Sequence, residues 1–254
     1  MPALIDFFRR SQIMRRLVDR HSRGTVISGP FQGMRYAVKS QGSAQLPKVL
    51  GTYELELHSL LGSLEQTHIH TVYNIGAAEG YYAVGLARMF PAADVIAWEL
   101  NERGHSAIRE MARANGCTDR ISVRGACSVE DLARNMAGQD GDQRSLVICD
   151  VEGYEDVLLN PDEVSGLRDA IVCVESHDHL VPEISTNLAM RFRETHDITR
   201  VPSQRRVKSD FPFRAWWQTV LPRRYAMYPV DELRLAPICW LWMVPKDSQE
   251  VLPS

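Results

Sequence analysis

The sequence predicts an α/β fold in which helices cover both faces of a doubly wound, mostly parallel sheet of seven strands. Five short apolar runs alternate with segments of helix length, which is typical of parallel strands joined by crossover helices. These runs occupy residues 71–76, 94–99, 121–124, 145–150 and 170–175. Two further apolar runs, at 196–201 and 239–245, supply the remaining strands. The 254 residues, of which 44% are hydrophobic, suffice for the core of one large domain.

Residues 1–70 precede this sheet and predict an extension made of a helix, a small hairpin and a second helix. The first helix is amphipathic, because arginines lie opposite apolar residues at helical spacing. Residues 25–38 alternate between apolar and polar, as in a hairpin, and leucines recur at helical spacing over 46–64. The apolar positions of the first helix are Leu4, Phe8, Met14, Leu17 and Val18.

Residues 71–254 form the second unit, with an insertion at 203–237.

The N-terminal stretch lacks the long apolar run of a signal peptide or a spanning helix. The five cysteines lie far apart and form no Cys-x-x-Cys pair, which favours reduced thiols over disulfides or a zinc site. We therefore expect a cytoplasmic protein without a transmembrane segment. The basic first helix should pack against its own domain or a subunit, and peripheral contact with acidic lipid is the alternative. The oligomeric state stays open.

Small residues at every second position follow the first predicted strand, at Gly76, Ala78 and Gly80. A turn from the first strand to the first helix lies at the carboxyl edge of the sheet, where open α/β folds bind ligands. Small side chains let the backbone approach a ligand there, and the following helix offers free N–H donors. A dinucleotide fingerprint would need glycine at positions 76, 78 and 81, whereas this chain has Ala78 and Tyr81.

The spacing of this first bend, residues 76–80, resembles motif I of the class I S-adenosylmethionine (SAM)-dependent methyltransferases, which have a Rossmann-like fold. Two later segments match the family's binding segments in the same order along the chain. Glu99 ends the second strand, where the family binds the ribose hydroxyls, and GACS at 125–128 follows the third, where it contacts adenine. The resemblance implies SAM as cofactor, bound by Asn74, Gly76, Ala78, Gly80, Tyr81, Glu99, Leu100, Ala126, Cys127 and Asp150. Asn74 stands where the family usually has an acid.

Two later segments resemble the FkbM-type branch of these enzymes. They are DVEGYE at 150–155, after the fourth strand, and ESHDH at 175–179, at the end of the fifth. Neighbouring parallel strands would bring both to one rim. There, Asp150, Glu152 and His177 are the expected catalytic residues, with His177 as the base because it titrates nearest neutrality. We expect Glu155 to be a first-turn helix charge favoured by the helix dipole.

Two alternatives to this catalytic assignment stay open. His177 could be a surface histidine in a loop rich in aspartate and histidine. Asp150, Glu175 and His177 could also hold one hard divalent ion that polarises an acceptor oxygen. The favoured interpretation uses no metal.

The range of possible methyl acceptors is narrowed mainly by the motifs that the chain lacks. It has no Asn/Asp-Pro-Pro-Tyr motif, which is associated with methylation of adenine amines, and no Pro-Cys nucleophile of the kind used at C5 of pyrimidines. Its net charge of −3 also makes nucleic acid an unlikely partner. The insertion carries seven Arg/Lys, three Asp/Glu and six aromatics. It could form a lid over an acidic or planar small molecule, a glycan or a peptide, or be the ordinary core of a cap. The expected function is O- or N-methyl transfer; the alternative is a non-catalytic module that binds SAM or a nucleotide.

Overall fold

The computed structural model describes residues 2–138, 144–234 and 236–246, with the backbone alone for residues 2–11. Seven strands are numbered in chain order: β1 Ile69–Ile75, β2 Asp94–Trp98, β3 Ile121–Arg124, β4 Arg144–Cys149, β5 Ile171–Ser176, β6 His196–Pro202 and β7 Cys239–Pro245. The α-helices are α1 Pro2–Ser22, α2 Gln45–Leu50, α3 His58–Ser63, α4 Tyr81–Met89, α5 Glu102–Ala114, α6 Val129–Met136, α7 Glu155–Leu158, α8 Ile184–Phe192, α9 Trp217–Val220 and α10 Arg223–Ala226.

The strands form one sheet in the order β3-β2-β1-β4-β5-β7-β6, which confirms the predicted fold class. All pairs from β3 to β5 are parallel, whereas β7 is antiparallel to both β5 and β6. The order reverses at β1, because β2 lies on one side of it and β4 on the other. Such a switch point leaves a crevice at the carboxyl ends of the strands.

Helices on both faces of the sheet explain why the strands are near-continuous apolar runs. On one face, buried residues of α4 and α5 such as Leu86 and Ile108 pack with residues of the extension such as Met14 and Leu50. On the other face, a second cluster joins buried residues of α6, α7 and α8. The extension therefore shares a core with the sheet.

The extension departs from the predicted hairpin and continuous second helix. Residues 25–38 form a loop with a single isolated bridge, between Thr25 and Arg35, and no regular strands. The predicted second helix is broken at Gly51, which ends α2 in a left-handed conformation. An added Cβ at Gly51 would lie 1.8 Å from the carbonyl oxygen of Ser28, so the loop packs too closely there for any other residue.

The apolar face of α1 packs against the rest of the chain over the turns whose side chains are described. Met14 and Val18 are fully buried, and the His21 ring stacks on Phe213 of the insertion at a centroid separation of 3.8 Å. The side chains of Leu4 and Phe8 lie outside the described residues. No helix within the described ranges is both long and apolar enough to cross a bilayer.

The insertion forms a small cap that contains α9 and α10. Phe211, Phe213 and Trp217 pack edge to face within it, and Trp217 is 3% exposed. These three aromatics therefore form the core of the cap, as in one of the two alternatives. Trp216 differs from them because it is 68% exposed.

Candidate active site

The principal cavity lies at the carboxyl ends of β1, β2, β4 and β5 and has a volume of about 540 Å³. That volume falls within the range typical of small-molecule sites, about 300–1,000 Å³. One part of its lining comes from the first bend and the ends of the strands. The other part comes from residues 41–53 of the extension and from residues 232–234, Ala236 and Ile238, which precede β7.

Gly76 is required by the chain itself at the tightest point of the first bend. Its φ of +81° is a left-handed conformation, and an added Cβ would lie 1.7 Å from the carbonyl oxygen of Asp150. The Gly76 and Ala77 amides both donate to the Trp98 carbonyl at 2.9 Å. The absence of a side chain at position 76 therefore permits a close approach, as predicted. The group that comes close to Gly76 in this structure is the backbone at the end of β4. Gly80 lies against α5, where an added Cβ would meet Ile108 at 3.2 Å.

Glu99 lines the cavity with its carboxylate fixed by two backbone donors. One oxygen accepts from the Ala78 amide at 2.7 Å, and the other from the Asn101 amide at 2.8 Å. The end of β2 is thereby tied to the first bend. Each carboxylate oxygen can accept more than one hydrogen bond, so acceptor capacity is left for a ligand.

The structure brings together six of the ten residues expected to bind the cofactor. Asn74, Gly76, Ala78, Tyr81, Glu99 and Asp150 all line the cavity. Asn74 is buried and its Oδ1 has no hydrogen-bond partner within the described part of the chain.

The other four expected cofactor residues are Gly80, Leu100, Ala126 and Cys127, which do not line this cavity. Leu100 is 82% exposed, because it lies between the end of β2 and the N-cap of α5. Ala126 is also exposed and Cys127 half-buried. The cavity thus extends from the first bend towards β4 and β5, and the expected adenine contacts lie outside it.

His177 is buried among three carboxylates at the rim where β4 and β5 end. Its Nδ1 lies 2.6 Å from Oε1 of Glu155. Its Nε2 lies 3.6 Å from Oδ1 of Asp150 and 3.4 Å from Oε2 of Glu152. The side chain is only 4% exposed, so the alternative of a surface histidine is excluded. The structure brings the three expected catalytic residues together.

Glu155 has a larger role than a first-turn charge on α7, which corrects the prediction. It is fully buried, and its Oε1 accepts from the amide of Gly153 at 3.1 Å as well as bonding to His177. Although burial opposes ionisation, these hydrogen bonds hold the Glu155 pKa below its ordinary value. The sequence signal for this role is that Glu155 is the third acid in DVEGYE, after Asp150 and Glu152.

His177 does not titrate near neutrality as predicted. Burial opposes its protonation, but the hydrogen bond to Glu155 and the charge of Asp150 outweigh burial and raise the His177 pKa to about 9. Burial raises the Asp150 pKa to about 6, with His177 opposing that rise. At neutral pH the pair is therefore an imidazolium beside a carboxylate, and Asp150 is the better proton acceptor.

Glu175 is held by a buried ion-pair network that sequence reasoning missed. Arg234, from the insertion, lies 2.5 Å from Glu175, 2.9 Å from Glu54 and 2.7 Å from Glu232. Burial and the neighbouring Asp150 charge raise the Glu175 pKa to about 8, despite Arg234. Burial and the charge of Glu175 likewise raise the Glu54 pKa to about 8.

Arg206 extends this network at the base of the insertion. Its guanidinium pairs with Glu232 and lies 2.5 Å from Glu56, and its side chain is 6% exposed. Both insertion arginines near the cavity, Arg206 and Arg234, are therefore neutralised by buried acids. This arrangement does not favour the proposed clamp on an acidic molecule inside the cavity.

A second buried ion pair joins the extension to the first bend. Glu79 is fully buried and pairs with Lys48 of α2, and it also accepts from the Tyr36 hydroxyl at 2.7 Å and the Gln41 amide at 3.0 Å. Although burial opposes ionisation, Lys48 holds the Glu79 pKa below its usual value. No sequence signal indicates these contacts, because the partners are 31 to 43 residues apart.

Acids outnumber cations among the charged residues that line the cavity. The acids are Glu99, Asp150, Glu152 and Glu232, without Glu175, whose pKa of about 8 leaves it mostly protonated at neutral pH. The cations are Lys48, Arg234 and protonated His177. Such a cavity favours a cationic ligand.

Asp150, Glu175 and His177 could also hold a divalent ion, because one ligand atom of each lies within 4.8 Å of the others. Two observations oppose this use. Glu175 is already paired with Arg234, and His177 binds a metal only after it loses its proton. A metal would therefore compete with contacts that the protein already makes.

No family model matches the chain, and no curated protein matches it. Among solved structures, a precorrin-6y C5,15-methyltransferase from Geobacter metallireducens is 11% identical, with 81% of this chain and 93% of that one covered at a TM-score of 0.48. An O-methyltransferase from Bacillus cereus in complex with SAH is 13% identical, with coverage of 75% and 80% and a TM-score of 0.46. An O-methyltransferase from Streptomyces achromogenes in complex with SAM is 15% identical, with coverage of 74% and 78% and a TM-score of 0.43. Similarity at this level is informative about neither activity nor substrate.

Proposed function

We propose that this chain is a SAM-dependent methyltransferase, of the FkbM-like branch, that methylates an oxygen or nitrogen of a small molecule, saccharide or peptide. One observation carries the proposal. The first bend, the Glu99 carboxylate and the Asp150, Glu152 and His177 cluster all meet at one cavity on the carboxyl edge of the sheet, and the buried Glu155 holds His177 from behind. Ligand-binding and proton-transfer groups are therefore within reach of one bound molecule.

The cavity suits the cofactor in charge and in the placement of its polar groups. Glu99 would accept from the ribose hydroxyls, and the buried, unpartnered Oδ1 of Asn74 offers an acceptor beside the first bend. The excess of carboxylates favours the positive charge of a sulfonium. When bound, SAM supplies a methyl group that is already activated, so the protein mainly has to orient the acceptor and take up its proton.

We assign the role of proton acceptor to Asp150. Its pKa of about 6 leaves it ionised at neutral pH, yet basic enough to receive a proton from an acceptor group. His177 stays protonated through its bond to Glu155, and its positive charge keeps the Asp150 carboxylate ionised in the buried rim. Glu152 is the more exposed of the carboxylates near Nε2 of His177 and would contact the acceptor from the cavity mouth.

Calorimetry of the purified chain with SAM, S-adenosylhomocysteine (SAH) and NAD tests the cofactor assignment. We expect both sulfur ligands to bind and NAD not to bind. Incubation with isotope-labelled methyl donor and cell extracts then tests transfer. Binding of SAM without any labelled product would favour a non-catalytic binding module, whereas binding of NAD alone would overturn the assignment.

A further inference from the structure

The cap presents two large apolar side chains to solvent, one helical turn apart. Trp216 is 68% exposed and Val220 is 70% exposed. The Val220 amide donates to the Trp216 carbonyl at 3.3 Å, so the two side chains lie on the same face of one turn. The neighbouring Trp217 is buried in the cap. Burial of the cap core therefore does not require Trp216, which is available for another surface.

All charged residues in the segment around these two side chains are arginines. Residues 211–224 contain Arg214, Arg223 and Arg224 and no aspartate or glutamate. All three arginines are exposed. The nearest acids in sequence are Asp210, which accepts from the Val207 amide at 2.6 Å, and Asp231, which accepts from the Leu233 amide at 2.9 Å. Neither acid pairs with Arg214 or Arg223 within the described part of the chain, whereas Arg224 lies over the Tyr225 ring and is not counted as an available cation.

The basic side of the cap continues into a groove next to the principal cavity. Arg205 and Arg223 line a groove of about 930 Å³, to which Asp231 and Glu232 also contribute, and Leu233 lines both this groove and the principal cavity. Leu233 has a φ of +58° and is exposed. The segment that carries it is thus a thin wall between the basic surface and the candidate active site.

We infer that the cap surface formed by Arg214, Trp216, Val220 and Arg223 docks on an anionic lipid bilayer. A tryptophan and an aliphatic side chain enter the interfacial region of a membrane, and flanking arginines pair with acidic headgroups. Each basic residue near an anionic leaflet strengthens binding, and salt weakens the attraction. The helix that carries Arg223, α10, packs against α1, in which Met14 and Val18 are buried and Ile13 is 37% exposed. The inference does not depend on the proposed methyl transfer.

Trp216 supplies its own probe, because the other four tryptophans are at most 4% exposed. Vesicles of equimolar phosphatidylglycerol and phosphatidylcholine should shift its emission to shorter wavelength and protect it from acrylamide. Pure phosphatidylcholine vesicles should do so weakly. Trp216→Phe should abolish the shift while the protein still sediments with vesicles, and Trp217→Phe should keep the shift.

Vesicle co-sedimentation measures the contribution of each group. Trp216→Ser should lower partitioning on the order of tenfold, since it removes a large apolar side chain that would be buried in the bilayer interface. Arg214→Gln and Arg223→Gln should each lower it about fivefold. The charge-matched controls Arg109→Gln and Arg113→Gln, on α5 outside the insertion, should leave it unchanged.

Three results would overturn the inference. One is the absence of any emission shift or sedimentation with the anionic vesicles. Another is a shift that depends on protein concentration without vesicles, which would assign Trp216 to a contact between copies of the chain. The third is displacement of the protein from vesicles by micromolar inorganic oligophosphate or single-stranded nucleic acid at constant ionic strength, which would assign the arginines to a soluble anion.

Discussion

Nδ1 of His177 lies 2.6 Å from Oε1 of Glu155, and both side chains are buried. The two residues are 22 positions apart, His177 directly after β5 and Glu155 at the start of α7, and they meet because β4 and β5 are adjacent parallel strands. The contact orients the imidazole so that its other nitrogen faces Asp150 and Glu152. Glu155 is thus a positioning residue, and His177 tunes the carboxylate that we assign as base.

Replacement of Glu155 by glutamine should lower the His177 pKa from about 9 towards its ordinary value, because a charged acceptor is lost. An NMR titration of the imidazole signals measures this shift. His196, which bonds to the Ala170 carbonyl at the far side of β5, serves as an internal control and should titrate as before. Turnover should fall while SAM affinity stays constant. An unchanged His177 pKa would contradict the assigned contact.

The raised His177 pKa also predicts a pH dependence of stability. The folded value of about 9 exceeds the ordinary 6.5, so the stabilisation is fully present below pH 6.5 and is lost as pH rises through 9. In His177→Gln this contribution is absent. Chemical denaturation across pH should therefore show a gap between wild type and variant that narrows from pH 6.5 to 9. A gap that stays constant over that window would refute the prediction.

Removal of the Glu99 carboxylate should weaken SAM binding by about 1–3 kcal/mol, because charge-assisted hydrogen bonds are lost. Glu99→Ala also frees the Ala78 amide, so the first bend should become less ordered. Calorimetry with SAM gives the affinity. Glu102→Ala is the matched control, since Glu102 is exposed and does not line the cavity. Equal affinities in wild type and Glu99→Ala would show that the ribose lies elsewhere.

Arg234→Met should destabilise the fold by about 3–5 kcal/mol at pH 9.5, because it leaves ionised buried acids without their cation. The loss should be smaller at pH 7, because Glu54 and Glu175, with pKa values of about 8, have by then taken up most of their protons. Thermal and urea denaturation report both effects. Arg214→Met, an exposed substitution in the same insertion, should change stability by no more than about 0.5 kcal/mol.

Methyl transfer should persist in EDTA, because Arg234 and the His177 proton occupy two of the three candidate ligands for a metal. The assay compares protein dialysed against chelator with protein supplied with Mg²⁺ or Mn²⁺. Loss of activity in chelator with recovery on adding Mn²⁺ would instead favour the alternative in which Asp150, Glu175 and His177 bind a divalent ion.

The sheet could be predicted closely from the sequence, since buried parallel strands leave a clear apolar pattern. The predicted runs at 121–124 and 239–245 coincide with β3 and β7, and the ends of the others differ from those of the observed strands by two residues at most. The extension was predicted less well. Its backbone is set by tertiary contacts, such as the approach of Gly51 to Ser28, that leave no periodic pattern.

The candidate site was predictable where its residues follow strands, because topology alone brings strand ends together. Asp150, Glu152 and His177 were found in this way. Their protonation could not be predicted, since the His177 pKa depends on the buried Glu155 contact. The Arg234 network could not be predicted either, because it joins residues up to 180 positions apart.

The ion pair between Lys48 and Glu79 makes the extension inseparable from the rest of the chain. If the chain were cut before β1, the Glu79 carboxylate would lose its cation while still buried, and the first bend would have to rearrange to expose it to water. Any transplant of the leading segment onto a related scaffold would have to carry both partners. The segment that precedes the sheet is therefore an integral part of the cavity wall, to which Lys48 and Tyr53 contribute, and could not be removed without exposing Glu79.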